Sequence, residues 1–153
     1  MNIIYRKALL KDIGAMQKLV EPEVESGVIL IRSDNEISTN IRSYTLAFEE
    51  DRLAGFVALH IHTASLAEIR SLTVGNSYRG KGIGTALVKK AIDEAVKLGV
   101  KEVLALTYKQ SFFENLDFVE IEKESLPEHK IWADCIKCKH FPVCNEISLI
   151  KKL

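Results

Sequence analysis

One glycine-rich stretch in the sequence has residue types and spacing suited to binding phosphate groups. Residues 79–84 read Arg-Gly-Lys-Gly-Ile-Gly, after an apolar segment that ends at Val74 and before a long amphipathic segment. Glycine lets a backbone turn tightly and approach a ligand closely. The first amide N–H groups of a helix have no partner within the helix, and together with the helix dipole they attract phosphate. We therefore predict a phosphate site here, with Arg79 and Lys81 adding positive charge.

Three known phosphate-binding motifs can be compared with this stretch. A Walker A loop requires Lys and then Ser or Thr after its last glycine, whereas Thr85 directly follows Gly84 here. A dinucleotide fingerprint places Gly-x-Gly-x-x-Gly in an early βαβ unit, but this stretch lies mid-chain. The third pattern, Arg-x-x-Gly-x-Gly after a strand, is matched by Arg79, Gly82 and Gly84. The six residues alone also fit a turn that only connects a strand to a helix.

The residues around this stretch predict a mixed α/β sheet. Apolar, β-branched and aromatic runs predict strands at residues 3–7, 44–49, 53–62, 67–74, 100–106, 118–122 and 146–150. Glu50, Asp51 and Arg52 supply a polar turn, so the second and third strands are predicted to form a hairpin. The order of elements is too irregular for a doubly wound nucleotide-binding fold.

Helical spacing predicts four helices between these strands. Asp12 is the predicted N-cap of the first, which Pro22 and Gly27 end, and Asp34 is the predicted cap of the second, which runs to about residue 43. The third helix follows the glycine-rich stretch and presents an apolar face made of Ile83, Leu87, Ala91, Ala95 and Leu98, with Gly99 as its stop. A short fourth helix is predicted at residues 111–115.

The Arg-x-x-Gly-x-Gly pattern resembles the coenzyme A pyrophosphate loop of the GNAT acetyltransferase family. Residues 72–74 before the loop and residues 111–118, which resemble the family's second landmark, favour this interpretation over a simple connecting turn. The resemblance implies a GNAT fold, an α/β fold with a mixed, mostly antiparallel central sheet flanked by helices, over residues 1–153 as a single domain. It also implies that acetyl-CoA is bound by Leu72, Thr73, Val74, Arg79, Gly80, Lys81, Gly82, Ile83, Gly84 and Thr85.

Within that family, the sequence looks like the acetyltransferase domain of bacterial N-acetylglutamate synthases. The similar segments are residues 30–33, 40–42, 58–59, 66–74 and, as in short single-domain members, 126–127, 130–132 and 134–135. This resemblance implies acetyl transfer from acetyl-CoA to the amine of L-glutamate, in arginine biosynthesis. The alternatives are an acetyltransferase for another amino acid, a polyamine or a protein N-terminus, and a non-catalytic acetyl-CoA-binding module. Longer members carry an additional kinase-like domain, for which this chain has no room, so we expect no regulation by arginine through it.

The resemblance also implies catalytic groups on the strand before the loop. An amine must lose its ammonium proton before it can attack a thioester, and Glu68 matches the family's proposed general base. In a partly apolar cleft the pKa of Glu68 would rise, whereas the competing interpretation is an ordinary surface carboxylate. His60 and His62 are alternative bases on the neighbouring strand. A backbone N–H near Leu72, where the sheet is expected to splay, would polarise the thioester carbonyl.

An anionic acceptor requires fixed cations, and Arg32 matches a substrate-binding arginine of the synthases. A guanidinium can bind a carboxylate through two parallel hydrogen bonds. Arg70 and Lys130 are weaker candidates for a second carboxylate, and Ser71 is a candidate hydrogen-bond partner of the acceptor. For Lys130 we expect a solvated surface charge instead.

One position departs from the general GNAT pattern. Many family members place a Tyr in the second landmark as general acid for the leaving thiolate, whereas this chain has Phe113 there and Tyr108 out of register. Either the thiolate leaves without assistance, which its low basicity permits, or another donor serves. The longer synthases also carry Phe at this place, so the departure agrees with the narrower resemblance.

Composition restricts the partners and location of the chain. The 21 Lys and Arg residues balance the 21 Asp and Glu residues, so we expect no nucleic-acid partner. No apolar run reaches the roughly 18 residues of a membrane helix, and the N-terminus is too poor in apolar residues for a signal peptide. We therefore expect a cytoplasmic protein without a membrane partner. A homodimer is compatible with the pairing habits of GNAT proteins.

The segment at residues 126–145 is predicted to be irregular, and it contains every cysteine of the chain. Cys135, Cys138, His140 and Cys144 are residue types that bind zinc in a tetrahedral site. Their spacing departs from common zinc motifs, in which a second pair lies farther along the chain. A redox pair and three reduced cysteines packed as small apolar residues are the alternatives, so we predict no metal site.

Overall fold

Seven strands and four α-helices make up the part of the chain that the computed structural model describes, residues 2–122 and 146–153. The strands are β1 Ile3–Lys7, β2 Tyr44–Glu49, β3 Arg52–Ile61, β4 Leu66–Val74, β5 Glu102–Thr107, β6 Val119–Ile121 and β7 Ile147–Lys152. The helices are α1 Ile13–Glu25, α2 Asp34–Thr39, α3 Ile83–Leu98 and α4 Gln110–Glu114.

The strands form one sheet in the order β1-β2-β3-β4-β5-β7-β6, which confirms the predicted mixed, mostly antiparallel arrangement. Only the β4–β5 pair is parallel among the described strands, and helix α3 makes the crossover that parallel neighbours require. β2 and β3 form the predicted hairpin. The place of β7 between β5 and β6 was not predicted.

Helix α3 packs its predicted apolar face against the sheet, with one exception. Ile83, Leu87, Ala91 and Ala95 are buried, whereas Leu98 is 62% exposed, so that part of the prediction was wrong. Gly99 adopts a left-handed conformation, and the amide of Val100 donates to the carbonyl of Ala95 at 3.1 Å. In this helix-ending motif the residue after the glycine makes the apolar contact, so Val100 is buried in place of Leu98.

The beginnings of the first two helices also differ from the prediction. Ser33, not Asp34, caps α2, because its hydroxyl accepts from the amide of Glu36 at 3.1 Å. The Glu36 carboxylate in turn accepts from the amide of Ser33, which makes a reciprocal capping box. Asp12 precedes α1 as predicted, but its carboxylate binds Arg6 and the amide of Leu9 instead of capping the helix. The Arg6 guanidinium lowers the pKa of Asp12.

Apolar side chains pack on both faces of the sheet, as the alternation of side chains along a strand requires. Val57, Leu59 and Ile69 belong to the cluster under α3, while Leu46 and Phe56 belong to the cluster under α1 and α2. No helix within the described residues is both long and apolar enough to cross a membrane.

Several predictions concern residues outside the described ranges. These are the irregular segment 126–145, the possible zinc ligands Cys135, Cys138, His140 and Cys144, and the weaker acceptor-binding candidate Lys130. They stay predictions, as does the homodimer.

Candidate active site

The sheet opens where β4 leaves its parallel neighbour. Pairing between β4 and β5 ends at Ile69 and Ala105, although β4 continues to Val74. On the other side of β4, the register against β3 shifts, because Ser71 and Leu72 together stand opposite Val57. The resulting bulge turns the backbone at this point away from a regular ladder. The sheet therefore diverges close to Leu72, where the sequence had led us to expect it.

The bulge contains an unusual backbone conformation. Ser71 has a φ of +57°, a value that residues other than glycine rarely adopt. Such conformations concentrate at functional sites, where the surrounding structure holds them in place. Nothing in the sequence pointed to this conformation, because serine has no preference for it.

A cleft of about 480 Å³ extends from this opening to the glycine-rich loop. Its lining brings together most of the predicted site residues: Arg32, Glu68, Arg70, Ser71, Leu72, Thr73, Val74, Arg79, Gly80, Gly82, Ile83, Gly84 and Thr85. Lys81 is exposed and lies between Gly80 and Gly82, which both line the cleft, and its predicted contribution of positive charge stays a prediction. One cleft thus holds both the predicted phosphate site and the predicted catalytic strand.

The glycine-rich loop has the backbone geometry that its sequence predicts. Gly80 and Gly82 have φ values of +76° and +82°, and Gly82 directly precedes helix α3. The first amides of α3, from Ile83 to Thr85, lack carbonyl partners within the helix, and these residues line the cleft. The arrangement is suited to holding a pyrophosphate at the positive end of the helix dipole.

Arg79 is engaged by another helix as well as by its own loop. Its Nη2 lies 2.6 Å from the Glu23 carboxylate of α1, and its Nε donates to the carbonyl of Val74 at 3.3 Å. The Glu23 charge offsets part of the positive charge expected at this place. The ion pair also joins the end of α1 to the loop, so that α1 forms part of the cleft wall.

Glu68 is buried between two nitrogen donors. Its side chain is 5% exposed, and Oε1 lies 2.8 Å from His62 Nε2 and 2.9 Å from Arg70 Nε. The structure thus contradicts a surface location for this carboxylate. Its surroundings are charged as well as buried, and an arginine beside a carboxylate favours the ionised form of the carboxylate. An ionised carboxylate is the form that can accept a proton.

Two guanidinium groups lie close to Glu68 in the same cleft. The side chains of Arg32 and Arg70 are 17% and 16% exposed. Burial lowers the pKa of Arg32, and the positive charge of Arg70 lowers it further. The Glu36 carboxylate lies 3.7 Å from Arg32 and offsets part of its charge. Two partly desolvated cations side by side favour an anionic ligand between them.

Other lining residues were not predicted as part of the site. They are Glu23, Gly27, residues 28–30 and Tyr78 on one side, and residues 106–109, Phe112 and Glu146 on the other. Tyr108 belongs to this lining although the sequence placed it out of register with the family's general acid. Phe113 is almost fully buried and packs edge-on against Phe118. Among the first group, residues 28–30 belong to an apolar stretch between two predicted helices. An apolar segment outside the predicted helices and strands was the sequence signal that they could line a cleft.

The fold and the cleft define an acyl-CoA-dependent acyltransferase, and comparison with known proteins agrees with this class. Residues 14–118 match the model of the acetyltransferase (GNAT) family, to which this chain belongs. The chain is 40% identical over 148 residues to an uncharacterised N-acetyltransferase of Chlorobaculum tepidum, covering 97% of this chain and 95% of that protein. It is 30% identical over 123 residues to the amino-acid acetyltransferase of Mycobacterium tuberculosis, covering 78% and 70%.

A solved structure shares the fold closely. It is the N-acetylglutamate synthase of Neisseria gonorrhoeae complexed with coenzyme A and N-acetyl-glutamate, with a TM-score of 0.88 at 25% identity. The match covers the whole of this chain but 35% of that one, and the longer amino-acid acetyltransferases that the chain matches are likewise covered over less than a third of their length. The chain is an acetyl-CoA-dependent N-acetyltransferase of the GNAT type.

Replacing Gly82 by Ala is expected to weaken the binding of acetyl-CoA. A Cβ at a φ of +82° costs about 1 kcal/mol or more, and relief of this strain turns the α3 amides away from the pyrophosphate. We expect the KM for acetyl-CoA to rise about tenfold. Gly14 in α1 is the matched control, because it has open space around it, and Gly14→Ala should leave this KM unchanged. An unchanged KM in Gly82→Ala would contradict the assignment of the loop.

Proposed function

We propose that this enzyme transfers the acetyl group of acetyl-CoA to the α-amine of L-glutamate, which gives N-acetylglutamate for arginine biosynthesis. The observation that carries the proposal is the pair of partly buried guanidiniums, Arg32 and Arg70, beside the buried carboxylate Glu68. A dicarboxylic amino acid presents two carboxylates and one ammonium, and this set of charges is complementary to it. The similar N-acetylglutamate synthase, whose structure contains N-acetyl-glutamate, supports the same acceptor, and the similar amino-acid acetyltransferase supports an amino acid.

In the proposed reaction Glu68 acts first, as general base. It accepts a proton from the acceptor's ammonium and thereby frees the lone pair of the nitrogen. The backbone N–H at Leu72 donates a hydrogen bond to the thioester carbonyl oxygen as negative charge develops there. The nitrogen bonds to the acetyl carbon and the carbon–sulfur bond breaks. The nitrogen gives up its second proton as the amide forms, and the departing thiolate takes up one proton to become free coenzyme A.

The remaining residues bind and orient the reactants. The amides that begin α3 hold the pyrophosphate of acetyl-CoA, and Thr73 and Val74 line the same cleft and are assigned to its binding. Arg32, Arg70 and Ser71 bind the acceptor. Tyr108 lines the cleft and carries a hydroxyl, so it is a candidate donor to the thiolate, and unassisted departure is the alternative.

A polyamine acceptor is disfavoured by the same geometry. A polyamine carries several positive charges, and it would have to approach two partly buried guanidiniums that repel it. Another amino acid is compatible with the site, because one arginine can bind the α-carboxylate that all amino acids share. The contact that the protein makes with the acceptor's side chain therefore determines which amino acid is used.

The test is a comparison of acceptors that differ in one feature. Purified protein is incubated with acetyl-CoA and, in turn, L-glutamate, L-glutamine, L-aspartate and spermidine, while free thiol is followed. We expect kcat/KM to be greatest for glutamate, and at least about 100-fold lower for glutamine, which has the same shape but leaves one guanidinium without its carboxylate. A preference for glutamine or spermidine would contradict the proposed acceptor and leave the GNAT assignment in place.

A further inference from the structure

The carboxylate of Glu68 is held by a histidine to which the proposed reaction assigns no step. His62 is the first residue after β3, and its side chain is 5% exposed, like that of Glu68. Its Nε2 lies 2.8 Å from Glu68 Oε1, the same oxygen that accepts from Arg70 Nε at 2.9 Å. Two nitrogen atoms from two strands therefore meet at one carboxylate oxygen.

The chemistry of the three groups determines the direction of the His62 hydrogen bond. An arginine can only donate, and it favours the ionised form of the carboxylate beside it, which can only accept. With Glu68 ionised, as the proposed function requires of a base, His62 Nε2 carries a hydrogen and donates it to Glu68 Oε1. A histidine that donates to the base in this way cannot accept the acceptor's proton at the same nitrogen, so the alternative role of His62 as the base is disfavoured.

The surroundings of His62 hold its ring in this position. Its amide donates to the carbonyl of Leu66 at 2.9 Å, and the Thr63 hydroxyl accepts from the amides of Ser65 and Leu66. The short turn between β3 and β4 is thereby closed. The ring of His60 packs edge-on against that of His62, with centroids 4.7 Å apart. Both the backbone and the ring plane of His62 are constrained before any substrate binds.

We propose that His62 is a positioning residue, which holds the Glu68 carboxylate in the orientation that lets it accept the proton of the acceptor amine. The proposal rests on the role of Glu68 in the proposed function. The titratable and charged groups near Glu68 include His60 on β3, His62 just after β3, Arg70 on β4, and Arg32 before α2, with Tyr108, Lys109 and Glu146 in the same cleft. Among the residues that the structure describes, His62 and Arg70 bring nitrogen atoms within 3 Å of Glu68 Oε1.

The test compares His62→Leu with His62→Gln. Leucine fills the space without a donor, whereas the amide nitrogen of glutamine can take the place of Nε2. His62→Leu is expected to lower kcat about tenfold and to move the acid limb of the kcat/KM profile up by roughly one pH unit, because it removes a donor to the ionised base. His62→Gln should keep most of the wild-type kcat and an acid limb close to the wild-type pH. The KM for acetyl-CoA should stay unchanged in either variant.

One further variant separates a specific role from a general one. His60→Phe keeps the edge-on ring contact with His62 and the hydrogen bond between His62 and Glu68, so its acid limb should stay at the wild-type pH. The inference is overturned if His62→Leu has the wild-type profile, if His62→Gln is as impaired as His62→Leu, or if His60→Phe shifts the limb to the same extent. Thermal unfolding with and without coenzyme A identifies a variant that is impaired only because it is misfolded.

The proposed function and this inference can fail separately. Wild-type turnover with L-glutamate is measured first, and its absence overturns the proposed acceptor. In that case the His62→Leu and His62→Gln variants are measured with the amine that the wild-type enzyme does acetylate. Unchanged turnover in Glu68→Gln overturns the proposed base and this inference with it. Loss of turnover in Glu68→Gln together with a wild-type His62→Leu variant overturns only the positioning role.

Discussion

Replacing Glu68 by Gln is expected to lower kcat by about 10²- to 10⁴-fold, the usual contribution of a general base. Glutamine has nearly the same shape, and its carbonyl oxygen can still accept from His62 and Arg70, which the structure places at 2.8 and 2.9 Å from Glu68 Oε1. It cannot take up the proton of the acceptor's ammonium. The loss should therefore appear in kcat and not in the KM for acetyl-CoA, and both are measured by thiol release.

The control for this variant is Glu102→Gln. Glu102 is a partly buried carboxylate on β5, opposite Leu66, and it does not belong to the cleft lining. Its substitution should leave kcat within about twofold of the wild type, because surface changes away from special features have small effects. Raising the pH tests the role further. An acceptor amine that is already deprotonated needs no base, so a higher pH should partly restore the rate of Glu68→Gln. A Glu68→Gln variant with a wild-type kcat would show that another group takes the proton.

Replacing Arg32 by Met is expected to raise the KM for L-glutamate about 100-fold. Methionine preserves the apolar length of the side chain and removes the guanidinium, which is 17% exposed and therefore binds a carboxylate with little competition from water. Loss of a buried, hydrogen-bonded charge partner costs about 2–5 kcal/mol, so 100-fold lies toward the low end of that range. Steady-state kinetics with varied glutamate at saturating acetyl-CoA measures the change.

The control and the specificity of the Arg32 variant can be tested together. Arg42 is an exposed arginine just after α2, and Arg42→Met should leave the KM for glutamate unchanged. If Arg32 binds the side-chain carboxylate, Arg32→Met should also reduce the preference for glutamate over glutamine. If it binds the α-carboxylate, the KM values for glutamate and glutamine should rise equally. Arg70 then becomes the residue that selects glutamate. A wild-type KM for every acceptor would remove Arg32 from the binding site.

The two variants report on different parts of the same cleft. Glu68→Gln changes a step that takes place only in the transition state, whereas Arg32→Met changes binding that the ground state and the transition state share. A lowered kcat in the first and a raised KM in the second would together support the proposed division of roles. The reverse pattern would mean that the cleft binds its acceptor in another orientation.

Features of this protein that depend on a few neighbouring residues could be predicted from its sequence. The glycine spacing at residues 79–84 and the amphipathic segment after it were sufficient to predict the tight backbone turn and α3, because backbone conformation and helical periodicity are local. The hairpin of β2 and β3 followed from the polar turn between two apolar runs. Ser33 was also recognisable, since Ser-x-x-Glu is a capping box, and choosing Asp34 overlooked it.

Features that depend on residues far apart in the chain were decided only by the tertiary structure. The sequence suggested Glu68 as a base, but its burial and its contacts with His62 and Arg70 depend on the register between β3 and β4. The bulge at Ser71 and the insertion of β7 between β5 and β6 likewise have no local signal. Local patterns determine which elements form, whereas strand order and register follow from how the whole chain buries its apolar faces, and these in turn set the surroundings of each catalytic group.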